Sequence, residues 1–93
     1  MLYAIQCIDK PGHGHVRAET RPVHLAYLKA AGDAVFCAGP LQDEAGAAIG
    51  SLIVIDFPDR SAAEAFAEND PYAKAGLFST VTVTRWMKVI PAA

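Results

Sequence analysis

Four short apolar runs, three of them with a two-residue period, are separated in turn by a helical stripe, a polar turn and a capped alanine-rich segment. That order predicts an α+β fold with β-α-β-β-α-β connectivity, the ferredoxin-like pattern of two split β-α-β units. Such a fold sets four antiparallel strands in one sheet and lays both helices on one face. With 93 residues and no linker, repeat or low-complexity stretch, the whole of 1–93 reads as a single domain.

Residues 2–9 form the first strand, with Tyr3, Ile5 and Cys7 alternating with Ala4, Gln6 and Ile8. The segment from Asp9 to His15 holds Pro11, Gly12 and Gly14 and reads as a loop. A helix follows over roughly 16–31, where Leu25, Leu28 and Ala31 recur at helical spacing and Gly32 is a natural stop. Pro22 leaves its start open: either Thr20 caps a helix with Pro22 in the first turn, or an earlier turn at 16–20 joins at a kink. Residues 34–38 make the second strand, ended by Gly39-Pro40, and Gln42 to Ala48 make a turn. Leu52 to Phe57 is the third strand and closes a hairpin. Ser61 and Glu64 have capping-box spacing ahead of the second helix, which stops before Pro71. Asp70-Pro71 opens a short helix that ends at Gly76, and Phe78 to Ile90 is a long final strand.

Composition narrows the function classes. Eight basic against ten acidic residues give a net charge of −2, which implies no basic surface for nucleic acid. No run approaches the ~20 apolar residues of a membrane span, and the N-terminus lacks a secretory signal pattern. Two cysteines, Cys7 and Cys37, do not make a disulfide framework and read as buried strand residues, so a reduced, cytoplasmic setting is expected. The chain is 53% hydrophobic and only 19% charged. That is more apolar surface than a small monomer easily hides. Strand one carries apolar side chains on both faces, where a sheet wetted on one side should alternate cleanly. The expectation is that a second copy covers the open face, sheet against sheet, as a homodimer.

His24 is the leading candidate for chemistry. Arg17, Arg21, His24 and Leu28 follow one another in steps of four, three and four, so they share one helical face. An imidazole changes charge near neutral pH, and flanking arginines favour an anion beside it. The plainer reading is a surface histidine between solvated arginines, and periodicity does not choose which face looks inward. Asp70 is the second candidate, as a carboxylate that orients a histidine, though Asp-Pro is also an ordinary helix cap. His13 and His15, with His24, form at most a weak metal-binding pattern, because no recognised ligand spacing is completed. No phosphate-binding glycine loop or nucleophile elbow occurs, so no organic cofactor is expected. Tyr72 and Trp86 are candidates to line a pocket, although aromatic side chains more often pack in cores.

Taken together, Arg21-Pro22-x-His24-Leu25-x-x-Leu28, Ala38-Gly39-Pro40, Gly50-Ser51, Ala65 and Asp70-Pro71-Tyr72-x-x-Ala75-Gly76-Leu77 resemble the YciI-like (YCII-domain) family over about residues 2–90. The resemblance implies a dimeric α/β barrel of ferredoxin-like subunits and a site built on His24 and Asp70. It also implies kinship with enzymes that eliminate HCl from a chlorinated hydroxyhydroquinone. The His13–His15 loop is not part of the match. The expected activity is acid–base chemistry, proton transfer or elimination, on a small polar or aromatic ligand. In that reading His24 and Asp70 are catalytic, and Arg17, Arg21, Gly39, Ser51 and Tyr72 bind the ligand. A non-catalytic binding or sensing module, a vestigial pocket and a cofactor-independent monooxygenase are the competing readings.

Overall fold

β1 (Leu2–Asp9) is an interior strand, hydrogen-bonded on one side to β3 (Ala48–Asp56) and on the other to β4 (Phe78–Arg85). β2 (Val35–Gln42) completes the sheet in the order β2-β3-β1-β4, with every neighbour antiparallel. The computed structural model describes residues 1–92. Helix α1 (Gly14–Ala31) and a 3₁₀ turn (Gly32–Ala34) link β1 to β2, and α2 (Arg60–Glu68) and α3 (Pro71–Lys74) link β3 to β4. This is the expected ferredoxin-like order.

The two faces of the sheet follow from strand register. Ile5 stands opposite Ile53 and Val83, and Cys7 opposite Ser51 and Val81. These positions share the face on which the helices lie. Ile5, Cys7, Ile53 and Ile55 are buried there with Ala67, against Leu28 of α1 and Phe66 of α2. The next positions along face the other way. Gln6 stands opposite Leu52 and Thr82, and Leu52 opposite Gly39. Leu52 is 38% exposed, and Ile8 and Phe36 are exposed as well. Phe36 of β2 and Trp86 beyond β4 come from opposite edges, yet their ring centroids lie 5.9 Å apart across this uncovered face. Trp86 therefore belongs to the open face. Cys37 is also exposed rather than buried, because its place opposite Val54 turns it away from the helices.

Several element bounds differ from the sequence reading, each for a physical reason. α1 begins at Gly14 and continues through Pro22, so Thr20 caps nothing. The carbonyl that Pro22 leaves without a donor belongs to Ala18, an exposed residue. Gly32 stops the helix with φ 59°, a conformation that costs glycine little. β2 runs on past Gly39-Pro40, because an edge strand can hold a proline whose missing N–H faces no partner. β3 starts at Ala48 rather than Leu52, after a turn in which the Asp43 carboxylate accepts from the Ala45 and Ala47 amides. The cap of α2 is Asp59, which accepts from Ala62 N at 2.9 Å; Ser61 lies inside the helix and Glu64 pairs with Arg60 instead. β4 ends at Arg85, opposite Tyr3, and the Trp86 amide still donates to Leu2 O at 3.0 Å, but the ladder does not continue through Met87 to Ile90.

Candidate active site

α1 turns its Arg17–Arg21–His24–Leu28 stripe toward the sheet, where these side chains border a cavity of about 230 Å³. Ala38, Gly39 and Pro40 of β2, Ser51 and Ile53 of β3, and Tyr72 of α3 form the rest of its wall. The wall mixes apolar side chains, Leu25, Leu28, Ala38 and Ile53, with the ionisable Arg17, Arg21, His24 and Tyr72. A roomier groove of about 510 Å³ between α2 and β4 is lined by Arg60, Glu64, Ala67, Val81 and Val83 and has no histidine or cysteine in its wall. Size alone would favour that groove, but His24 and its carboxylate partner converge on the smaller cavity.

His24 and Asp70 meet there. His24 Nδ1 lies 2.9 Å from Asp70 Oδ1, and both side chains are almost fully buried. The same Asp70 oxygen accepts from Tyr72 N at 2.9 Å. Capping and pairing are thus combined: the cap of α3 fixes the rotamer that presents the carboxylate to the imidazole. A carboxylate only accepts, so Nδ1 carries a hydrogen and Nε2 is the ring nitrogen left to meet a ligand. The imidazole also stacks on the Tyr72 ring, with centroids 4.0 Å apart and planes 21° from parallel.

Beside this pair lies a second one that sequence patterns did not reveal. Arg17 Nε donates to Asp9 Oδ2 at 2.7 Å and Nη2 donates to Asp9 Oδ1 at 2.8 Å, a two-pronged grip between side chains that are less than a tenth exposed. Nη2 also donates to Ser51 Oγ at 3.0 Å. The guanidinium carbon stands 4.6 Å from the Tyr72 ring centroid. Burial disfavours the Arg17 charge, but the Asp9 carboxylate more than offsets this and holds its pKa above the ordinary value. Burial likewise raises the Tyr72 phenol, and the Arg17 and Arg21 charges partly counter it. The Cys7 thiol, buried nearby and facing the carboxylates of Asp70 and Asp9, is pushed up to about 12 and stays a thiol. Asp9 ends β1, and its only sequence signal was an acid eight residues before a buried arginine.

The structure thus gathers Arg17, Arg21, His24, Gly39, Ser51 and Tyr72 on one wall, with Asp70 behind the imidazole. Arg21 is exposed, and among the described residues it forms no salt bridge. His13 and His15 stay apart from His24: their rings lie 6.2 Å from one another, and His13 Nδ1 faces Pro11 O. Among the described residues no three His, Cys, Asp or Glu side chains are grouped to hold a metal ion.

The YCII-related domain model matches residues 1–87. The chain belongs to the YCII-related domain family. It is 37% identical to the protein YciI of Escherichia coli O6:H1 over 97 residues, covering 96% of this chain and 99% of that one. A protein of Haemophilus influenzae is 34% identical over the same span. Among solved structures, the chain is similar to 5-chloro-2-hydroxyhydroquinone dehydrochlorinase from Burkholderia phenoliruptrix AC1100 in complex with 2,5-dihydroxybenzoquinone. That pair shares 33% identity and a TM-score of 0.87, covering 94% of each chain. An antibiotic biosynthesis monooxygenase superposes with a TM-score of 0.54 at 15% identity, covering 98% of this chain and all of that one, and shows the fold alone. No helix among the described residues is long and apolar enough to cross a membrane.

Proposed function

We propose that this family member is a small-molecule enzyme whose His24 moves a proton to or from a hydroxylated ring substrate, in a proton-transfer or elimination reaction. The observation that carries the reading is His24 Nδ1 held by Asp70 Oδ1 at 2.9 Å on the wall of a cavity sized for one ring. In this reading Nε2 takes a proton from a substrate hydroxyl or carbon acid. The electron pair released expels a leaving group, and Asp70 stabilises the imidazolium that forms. Arg21 favours an anionic substrate or intermediate, the Tyr72 and Gly39 side of the wall shapes the slot, and Leu25, Leu28 and Ile53 seat the ring. The relative that was solved with 2,5-dihydroxybenzoquinone supports a ligand of that size and class. The reaction asks for no organic cofactor.

The test is a chloride-release assay on chlorinated hydroxyhydroquinones, combined with binding of 2,5-dihydroxybenzoquinone. Turnover in the wild type that His24→Ala and Asp70→Asn abolish supports the reading. Binding without any turnover makes the protein a ligand-binding module, and oxygen consumption in place of chloride release makes it a monooxygenase. Assembly belongs to the same proposal. The exposed Ile8, Phe36, Leu52 and Trp86 support a second copy packed against the open sheet face, giving a homodimeric barrel.

A further inference from the structure

We infer that Ser51 is a hydrogen-bond donor aimed at an acceptor oxygen of the ligand, and that Asp9 is the positioning residue that makes it one. The inference rests on the ring-binding reading above and adds to it which group meets the ligand oxygen.

The argument begins from what each group can do. A guanidinium donates and never accepts. The contact of 3.0 Å from Arg17 Nη2 therefore commits a lone pair of Ser51 Oγ to acceptance. The hydroxyl keeps one hydrogen, and among the described residues it donates to no protein acceptor. Ser51 is 3% exposed and lines the cavity, so the unspent hydrogen has only the cavity to serve. A hydroxyl that accepts from a cation is also polarised into a better donor.

Asp9 sets this arrangement. It grips Nε and Nη2 together, which fixes the plane of the guanidinium and leaves one Nη2 hydrogen directed at Ser51. Neutralising Arg17 has a second effect: its charge is spent within the protein, and Arg21 at the cavity wall is left as the cation for the ligand. The site then fits a ring that bears a single negative oxygen toward Arg21 and a carbonyl or hydroxyl oxygen toward Ser51. Without Asp9 the guanidinium would lose its fixed plane, and the Ser51 hydroxyl would lose its orientation.

The experiment measures binding of 2,5-dihydroxybenzoquinone by calorimetry and by its visible absorption, for the wild type, Ser51→Ala, Asp9→Asn, the double variant and His24→Ala, each checked for folding by circular dichroism. Ser51→Ala is expected to weaken binding by about tenfold, the worth of a hydrogen bond to a charged or polarised oxygen. Asp9→Asn is expected to weaken binding in the wild-type background and to change it by less than about twofold in the Ser51→Ala background, because the two act as one unit. A purely structural role for Asp9 would weaken both backgrounds alike and overturns its positioning role. Unchanged binding in Ser51→Ala, with binding lost in His24→Ala, overturns the donor role and leaves the proposed function standing. A wild type that fails to bind the probe overturns the proposed function and this inference together.

Discussion

The helix-side cavity and the open face of the sheet are built from the same strands, one residue out of step. Cys7, Ser51 and Ile53 look into the helix side, while Ile8, Leu52 and Val54 look the other way. On the first side, apart from the exposed Arg21, the charged groups at the cavity are buried and paired: Arg17 with Asp9, and His24 with Asp70. On the second, the exposed apolar Ile8, Phe36, Leu52 and Trp86 stand beside the neutral polar Gln6 and Thr82. The difference shows how a small domain divides its work. Buried charges are tolerable only where partners meet them, so the chemistry concentrates under the helices. The surplus of apolar residues, having no room there, collects on the face the helices cannot reach.

Breaking the polar side should produce the largest effects. His24→Ala is expected to lower turnover by about 10²–10⁴-fold, the usual worth of general acid–base help, with the fold retained on thermal melting. A variant of unchanged rate would dismiss the histidine from catalysis. Arg17→Met tests the neighbouring pair. It leaves the Asp9 carboxylate buried without its partner and should cost about 3–5 kcal/mol in urea unfolding. A loss below about 1 kcal/mol would mean that the pair is solvated in practice.

The open face should respond differently. Leu52→Asp is expected to shift the protein from dimer to monomer in sedimentation, while the isolated chain loses only about 0.5 kcal/mol, as for other surface changes. If the wild type itself sediments as a monomer at micromolar concentration, the covered-face proposal fails. A further effect is alkaline. The Cys7 thiol ionises in the unfolded chain near 9 but is held to about 12 in the fold. Between these values the folded state binds more protons than the unfolded state, so stability falls as pH rises from about 9 to about 12. Cys7→Ala should flatten that slope, and an unchanged slope would locate the alkaline sensitivity elsewhere.

Local signals carried much of the fold. Alternation in Tyr3–Ile5–Cys7 identified β1, and the four-three-four stripe grouped Arg17, Arg21, His24 and Leu28 on one face of α1 without choosing which way that face looks. Signals that depend on a neighbour did not survive reading in one dimension. Pro40 looked like the end of a strand because nothing local says that β2 is an edge. The end of β4 at Arg85 was invisible, because the apolar alternation runs on through Met87 and Val89 and only pairing with a neighbour makes a strand. Ser61 had capping-box spacing, but Asp59 stood two residues earlier with a carboxylate that reached the Ala62 amide first.

The candidate site divides along the same line. Residue type and helical spacing were enough to single out His24, and a D-P-Y motif was enough to single out Asp70 as a cap or a partner. That one oxygen of Asp70 serves the Tyr72 amide and the His24 ring at once was decided by the packing of α3 against α1. The Asp9–Arg17–Ser51 chain likewise joins the end of β1, the first turns of α1 and the middle of β3. Sequence by itself determined the periodicities, because helix and strand geometry repeat within a few residues. Which charges meet was left to the tertiary structure, because burial forces a charge to find its partner wherever the fold brings one within reach.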